Sequence, residues 1–480
     1  MVWLAELSAD TKAIRSMASR KYQTVPSEQT TMPAGIPYIV GNEAAERFSF
    51  YGMKSILALF MTKYLVDAAG QPAPMSDAEA TERVAEFLMW AYSFPIIGAI
   101  LCDWLFGKYR MIMSLSLLYC AGHLVLALMD INTSLGIDQR TLLYWGLALI
   151  AIGSGGVKPC VSSHVGDQFG RANSHLLPVV YGWFYFSINL GAAISTVLTP
   201  WLRETYGPSV AFGVPGILMG VATLVFWLGR YKYVHVPATG RRFFSETFSP
   251  AGAKAIRNLI PLYILVAMFW CLFDQTGSRW VLQAQHLNRF VGSFEIRPDQ
   301  LQAANPILVM ILIPLFSYVI YPAINRIFPL TPLRKIGIGM GLTVISFLIP
   351  GWLEVRIGAG ETPSMLWQVL AYVALTSAEV MVSIVCLEFS YTQAPNTMKS
   401  FIMSLYLLSV ALGNLLTKVV NNLIKNYETA GTPILQGANY YWFFAACMAA
   451  TLLVYLVWSP FYRGDVHIQS DPDSPSDAAA

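Results

Sequence analysis

Apolar runs of about 20 residues, separated by short breaks rich in charged, Pro or Gly residues, recur from Tyr38 to Trp458. As a helix, a run of that length crosses a hydrocarbon core of roughly 30 Å. Reading the runs between their polar breaks predicts twelve helices, near 38–66, 84–106, 110–130, 140–163, 176–200, 209–231, 257–285, 300–322, 333–353, 364–393, 399–424 and 439–461. The longest internal break, from about Tyr231 to Ile256, carries Pro237, Gly240, Arg241 and Arg242 and divides the pattern into six helices and six. The expected organisation is an N-terminal segment 1–37, a six-helix bundle 38–231, a linker 232–256, a second six-helix bundle 257–462 and a tail 463–480. That tail is rich in Ser, Pro, Asp and Ala and lacks the apolar content to pack.

Composition makes the class specific. The chain has 480 residues, 55% hydrophobic and 12% charged, with net charge +3 and a mean hydropathy of +0.51; soluble domains carry roughly 25% charged residues. An all-α integral membrane protein surrounded by lipid is the expectation, with no nucleic-acid partner. The first 35 residues mix Asp10, Lys12, Arg15, Arg20 and Lys21 with polar residues and show no apolar core of a signal peptide, so the first spanning helix is expected to direct insertion. Breaks on the side of the N-terminus collect most of the basic residues, including Lys108, Arg110, Arg230, Lys232, Arg334 and Lys335, which predicts both termini in the cytoplasm. The six cysteines show no ligand spacing, and no motif asks for a metal or cofactor.

Six basic residues, Arg47, Lys54, Lys63, Lys158, Arg279 and Lys418, remain inside predicted helices, where ionisable groups are costly and mark function. Lys63 and Lys418 lie near helix ends and can snorkel. On helix 1, Glu43, Glu46, Arg47, Phe50 and Lys54 fall on one stripe roughly 100° wide, a charged ladder. Lys158 follows Gly153-Ser154-Gly155-Gly156-Val157, an order that fails the phosphate-loop pattern; the glycines fit close helix packing instead. Depth counting places Lys158 level with Glu43 and Glu46, predicting a cross-helix network. It also places Lys54 and Asp274 both about 25 Å from the inner face, predicting a gating salt bridge. Trp270, one turn from Asp274, is either a packed aromatic or a pocket wall. Helix 10 carries Glu379 and Glu388, whose spacing puts them on opposite faces; Glu388, with polar neighbours along its face, reads as the better ligand and Glu379 as a structural carboxylate.

Two resemblances follow. Six helices plus six, with Gly98, Asp103, Gly107, Lys108 and Arg110 between helices 2 and 3, resemble the major facilitator superfamily, whose halves rock about a midplane site. Glu43-x-x-Glu46-Arg47-Phe48, Gly155-Gly156-Val157-Lys158-Pro159 with Gly166-Asp167-Gln168-Phe169, Phe184 to Gly191, Phe273-Asp274-Gln275 and Glu388-Phe389-Ser390-Tyr391 together resemble the proton-coupled oligopeptide transporter (POT/PTR) family. The resemblance implies that Glu43, Glu46, Arg47 and Lys158 couple protons. It implies that Asn189 and Asn305 bond the peptide backbone, that Glu388 meets the peptide amino terminus, and that Arg47, Tyr51, Lys54, Lys158 and Trp270 complete the substrate pocket. Lys54 stands where many members have Arg, and Phe50 where they often have Tyr. The short linker and the short segment after helix 9 imply the bacterial twelve-helix type.

The implied function is proton-driven import of di- and tripeptides across a bacterial inner membrane by a monomer, with the proton as coupling ion and no cofactor. A zwitterionic peptide calls for cations, a carboxylate and amides in one chamber. A carrier of another small anion, such as nitrate or a drug-like acid, needs no acidic partner opposite the bases. The motifs of a membrane-embedded enzyme are not found, and a non-transporting sensor is the remaining alternative.

Overall fold

The computed structural model describes residues 22–26, 28–238, 240, 244, 249–393 and 399–462. Most of the N-terminal segment, the middle of the linker with Arg241 and Arg242, and the tail 463–480 lie outside the described residues. Twelve long helices are present: α1 (Ile36–Lys63), α2 (Asp77–Leu101), α3 (Lys108–Ala127), α4 (Gln139–Gly166), α5 (Leu177–Tyr206), α6 (Pro208–Leu228), α7 (Pro250–Phe273), α8 (Ala304–Leu315), α9 (Pro332–Gly358), α10 (Leu366–Glu379), α11 (Lys399–Thr429) and α12 (Ala438–Trp458). One two-residue hairpin, Phe290–Val291 with Phe294–Glu295, is the sole sheet among the described residues.

Several helices start or stop beyond the apolar runs. α2 begins at Asp77 rather than near 84, because Ser76 caps Glu79 N–H and the polar first turns carry ion pairs instead of facing lipid. The linker expected to reach 256 ends before Pro250, which starts α7 as a first-turn proline. α11 runs on to Thr429 because Lys418 and Lys425 find carboxylates on α2. Hydropathy reads such ionic turns as loops. Among the described residues, ten helical segments are long and apolar enough to cross a membrane by length and composition; α1, with its charged ladder, and α5 are not among them.

Helices α7 and α10 are interrupted where the site lies, and α2 and α8 near their ends, α2 through a π turn, Cys102–Phe106. α7 passes through a 3-10 turn, Asp274–Gly277, into Arg279–Ala284; α10 passes through a π turn, Val380–Ile384, into Val385–Gln393; α8 continues through a π turn, Phe316–Ile320. Broken helices free backbone and re-aim side chains, which membrane proteins tolerate where a cavity or a packed neighbour satisfies the chain.

Two large cores form, one from Phe50 to Met219 and one drawn mainly from Leu259 to Tyr455, with a third from Ile36 to Tyr233. Across them, α2 lies against α11, and α5 against α8 with the 3-10 turn Pro298–Ala303 before it. The glycines of α4 act as the packing argument anticipates: a Cβ on Gly98 of α2 would stand 2.5 Å from Gly156 Cα, so only bare backbone fits the α2–α4 crossing. Between α2 and α3, Gly107 adopts φ 73°, and Lys108 Nζ then reaches both oxygens of Asp167 at 2.8 and 2.6 Å, tying the two loop motifs together.

Candidate functional site

The ladder on α1 faces inward. Glu43, Glu46 and Lys54 are buried, and Arg47 Nε donates to Glu43 Oε1 at 2.6 Å while lying 3.1 Å from Glu46 Oε2. Two carboxylates thus share one guanidinium, a compact arrangement in which the charge state of each group depends on the others.

The charge of Lys158 acts on Glu46, as the expected cross-helix network requires, without a hydrogen bond between them. Its Nζ sits 3.8 Å from the centre of the Phe50 ring and 4.5 Å from that of Tyr92, and the nitrogen has no hydrogen-bond partner among the described residues. An ammonium on two aromatic faces keeps part of its stabilisation without a counter-ion, so it remains available to an anion.

Below it opens a cavity of about 610 Å³, lined by Glu43, Arg47, Tyr92, Lys158, Phe184 and Ser404 among others. These residues belong to the first halves of α1, α5 and α11 and the second halves of α2 and α4, so the cavity lies on the side where α1 begins.

Further into the bundle, Lys54 Nζ lies 3.1 Å from Asp274 Oδ1. Asp274 opens the 3-10 turn after α7, and its second oxygen accepts from Asn414 Nδ2 at 2.7 Å. Asn305 donates to Glu379 Oε2 at 2.6 Å and lies 3.2 Å from Thr376 Oγ1. The charges of Lys54 and Asp274 act on Glu379, and that of Glu379 acts on Tyr51.

Of the two glutamates of helix 10 it is Glu379, and not the expected Glu388, that lies beside this centre. Glu379 faces the charged centre, whereas Glu388 is exposed near Tyr321 of the short helix Tyr321–Asn325, and it is its neighbour Leu387 that lines the cavity. As their spacing predicts, the two glutamates meet different surroundings; the polar neighbours of Glu388 do not bring it to the centre. Glu379 ends a helical segment that starts at Leu366, so its depth alone pointed to mid-membrane, whereas Glu388 falls in the last turns.

The remaining predicted residues spread around this centre. Asn189 is buried and donates one amide proton to the Tyr185 carbonyl one turn back at 3.0 Å, with its amide oxygen and second proton outside that bond. Tyr51 stands edge-on to Phe50 at 5.6 Å. Trp270 packs edge-on against Phe273 at 5.4 Å and Tyr406 at 6.5 Å, and its indole N–H has no partner among the described residues.

Polar contacts between the two sets of helices cluster on the side away from the cavity. Arg203 of α5 pairs with Asp299, both almost fully buried; Arg297 pairs with Glu204; Lys418 reaches Glu86 at 2.7 Å and Lys425 reaches Glu82 at 2.9 Å. Gln302 donates to the Ser55 carbonyl at 2.9 Å. Arg279 rests on the Tyr440 ring, 3.8 Å from Asp77. Asn414, Gln302, Arg203 and Asp299 are not among the residues predicted for the site; an Asn following Gly413 inside an apolar helix was the available signal for the first. Among the described residues no group of three or more His, Cys, Asp or Glu is arranged to hold a metal ion.

Comparison with known proteins agrees with this geometry. A family profile described as "PTR2: POT family" matches residues 109–252 and 245–443. The chain is 36% identical over 365 residues to Peptide transporter family 1 of Drosophila melanogaster, covering 68% of this chain and 48% of that protein. It is 35% identical over 397 residues to Solute carrier family 15 member 2 of Homo sapiens, covering 74% and 53%. The chain thus spans about half the length of these relatives. Its fold matches the crystal structure of an auto-inhibited POT family peptide transporter with TM-score 0.80 at 33% identity, covering 92% of this chain and 99% of that one. It matches the POT family transporter PepTSo with TM-score 0.78 at 34% identity, covering 90% and 99%. By profile, sequence and twelve-helix architecture, the chain belongs to the POT family of the major facilitator superfamily.

Proposed function

We propose that this chain is a proton-coupled symporter that imports di- and tripeptides across a bacterial inner membrane by alternating access, as a monomer with both termini in the cytoplasm. The observation that carries the reading is the placement of Lys158 and Arg47 on the first six helices and of Glu379 with Asn305 on the last six, around one charged centre with a cavity beneath it. A peptide is a zwitterion bridged by amides. Its carboxylate finds the lysine resting on Phe50 and Tyr92, its ammonium finds Glu379, and its backbone finds Asn305 and the amide of Asn189. A simple anion would have no use for Glu379.

Coupling follows from competition for charge. While Glu43 and Glu46 are ionised they hold Arg47 between them. Protonation of one weakens that hold, so the guanidinium joins Lys158 in attracting the peptide carboxylate, and release of peptide lets the carboxylates recapture it. A proton crossing about 100 mV supplies roughly 2.3 kcal/mol, and one pH unit adds about 1.4, enough to concentrate a neutral peptide several hundredfold. The pair Lys54–Asp274 and the ion pairs beyond it act as the gate on the far side of the cavity. In this orientation that side is the outside, so the structure is inward-facing.

The test is uptake of labelled dialanine into proteoliposomes under an imposed pH gradient, with Glu46→Gln and Lys158→Ala beside the parent. Gradient-driven uptake in both variants is expected to fall by at least about tenfold, the loss of one charge-assisted contact. Counterflow is expected to survive in Glu46→Gln. Driven uptake at the parent rate in both variants overturns the assignment, and a parent that exchanges nitrate but not dipeptide overturns the substrate.

A further inference from the structure

Between α2 and α4, on the side away from the cavity beneath Lys158, lies a second hollow of about 410 Å³. The two helices run parallel and meet tightly further in: a Cβ on Gly155 would stand 2.5 Å from Phe94 Cβ, as one on Gly98 would from Gly156 Cα. Outward of that crossing, the small side chains of Ala148 and Ala151 on α4 stand where Phe87 and Trp90 line α2, and the space they leave is the hollow. From Arg83 to Phe94 on α2, and from Tyr144 to Ile152 on α4, its walls are about 16 Å and 12 Å long at 1.5 Å per residue. That is the depth of one leaflet, half of a hydrocarbon core of roughly 30 Å. Trp90 is 47% and Ile152 37% exposed, so the hollow opens toward lipid and not into the bundle. Its charge lies at the top alone, where the Arg83 guanidinium stands 5.4 Å from the centre of the Tyr144 ring and Glu86 lies beside it. Of the five guanidinium N–H donors, one on Nη1 goes to Glu86; Nη2 is 3.6 Å from Glu82, too far for a hydrogen bond, and Nε has no partner among the described residues. The ion pairs at this level join Arg83, Arg140, Lys418 and Lys425 to Glu79, Glu82 and Glu86, so four cations meet three carboxylates and one positive charge is in excess.

We infer that this hollow is a binding site for one anionic glycerophospholipid of the leaflet on that side, its phosphate on Arg83 and an acyl chain laid between Trp90 and Ala148. A phosphate oxygen gives the guanidinium the acceptor it lacks and offsets the excess charge. A zwitterionic lipid would bring an ammonium among cations whose carboxylates are already taken. In lipid the chain gains packing rather than removal from water, so the headgroup decides which lipid is held. The site also bears on the closed end of the molecule, because Glu86 is shared between Arg83 and Lys418 of α11. A phosphate that draws on Arg83 leaves Glu86 more fully to Lys418, so the bound lipid favours contact between α2 and α11.

The experiment is native mass spectrometry of the full-length chain in detergent, titrated separately with phosphatidylglycerol, phosphatidylethanolamine and inorganic phosphate. The parent, Arg83→Gln and Ala148→Phe are compared, each checked by thermal unfolding. The parent is expected to retain one phosphatidylglycerol about tenfold more tightly than phosphatidylethanolamine, and to retain no inorganic phosphate. Arg83→Gln is expected to abolish that preference, a loss of about tenfold for one charge-assisted contact. Ala148→Phe fills the place of the chain and is expected to weaken retention of both lipids by about tenfold. Equal retention of the two lipids by the parent, retention of neither, or a preference that survives in Arg83→Gln overturns the inference. So does inorganic phosphate held as tightly as phosphatidylglycerol, or Ala148→Phe without effect, since either leaves an anion on Arg83 and no chain in the hollow. Ala148 is exposed, so its variant overpacks nothing inside the bundle. Should Arg83→Gln fail to fold, the preference of the parent and the Ala148→Phe result decide the matter.

Discussion

The two ends of the molecule handle charge in opposite ways. At the end away from the cavity, Arg203 meets Asp299, Arg297 meets Glu204, and Lys418 and Lys425 meet Glu86 and Glu82, each pair joining one of the first six helices to a residue of the last six. At the cavity end, Lys158 rests on aromatic faces, and Arg47 is shared between two carboxylates of its own helix. Charges that staple helices together are consumed by one another; charges held by rings or by neighbours on one helix can be lent to a ligand. The difference identifies which end must break its contacts for the site to open the other way.

The largest effect is expected at the most buried staple. Arg203 and Asp299 are 3% and 0% exposed, so removing Arg203 leaves Asp299 without its cation away from water, and removing Asp299 leaves Arg203 only Glu204, at 3.4 Å. Arg203→Ala or Asp299→Ala should destabilise the chain by about 3–5 kcal/mol, and Arg203→Met with Asp299→Leu should recover much of it, because both charges then leave together. Unfolding temperatures of the three variants in one detergent check this. A double variant no more stable than the singles would mean that the pair does not act as a unit.

How much of this was legible in the chain depends on whether the property is local. The ladder of Glu43, Glu46, Arg47 and Lys54 follows from helical periodicity alone, and matching depths suffice to bring Lys54 to Asp274. The seat of Lys158 depends on how closely α1, α2 and α4 cross, which no spacing within one helix encodes. On helix 10 the angular count correctly sends Glu379 and Glu388 to different faces, but polar neighbours along a face do not tell which face meets the other helices. The polar start of α2 was read as a loop because hydropathy registers charge but not the partner that neutralises it.

Helix 10 supplies the intermediate prediction. Glu379, bonded to Asn305 at the centre, should be the carboxylate that a peptide ammonium finds, and Glu388, exposed beside Tyr321, should not. Glu379→Gln is expected to weaken dialanine competition in an uptake assay by about tenfold to a hundredfold, and Glu388→Gln by less than about twofold. The reverse order would restore the reading made from polar neighbours alone.

The smallest effect belongs to the staple closest to water. Lys418 and Glu86 each keep 27% of side-chain exposure, and Glu86 also binds Arg83, so loss of the lysine leaves that carboxylate partnered. Lys418→Met should change stability by less than about 1 kcal/mol. Its consequence lies in the balance between states, because the pair exists only while α2 and α11 touch at that end. A loss of about 0.5 kcal/mol confined to the closed arrangement raises the population open at that end a little over twofold. Labelling of a single cysteine placed on the outer part of α2 would register that shift as faster modification in Lys418→Met. Equal rates with and without the lysine would mean that the closed end draws its closure from the remaining pairs, Arg203–Asp299, Arg297–Glu204, Lys425–Glu82 and Lys54–Asp274.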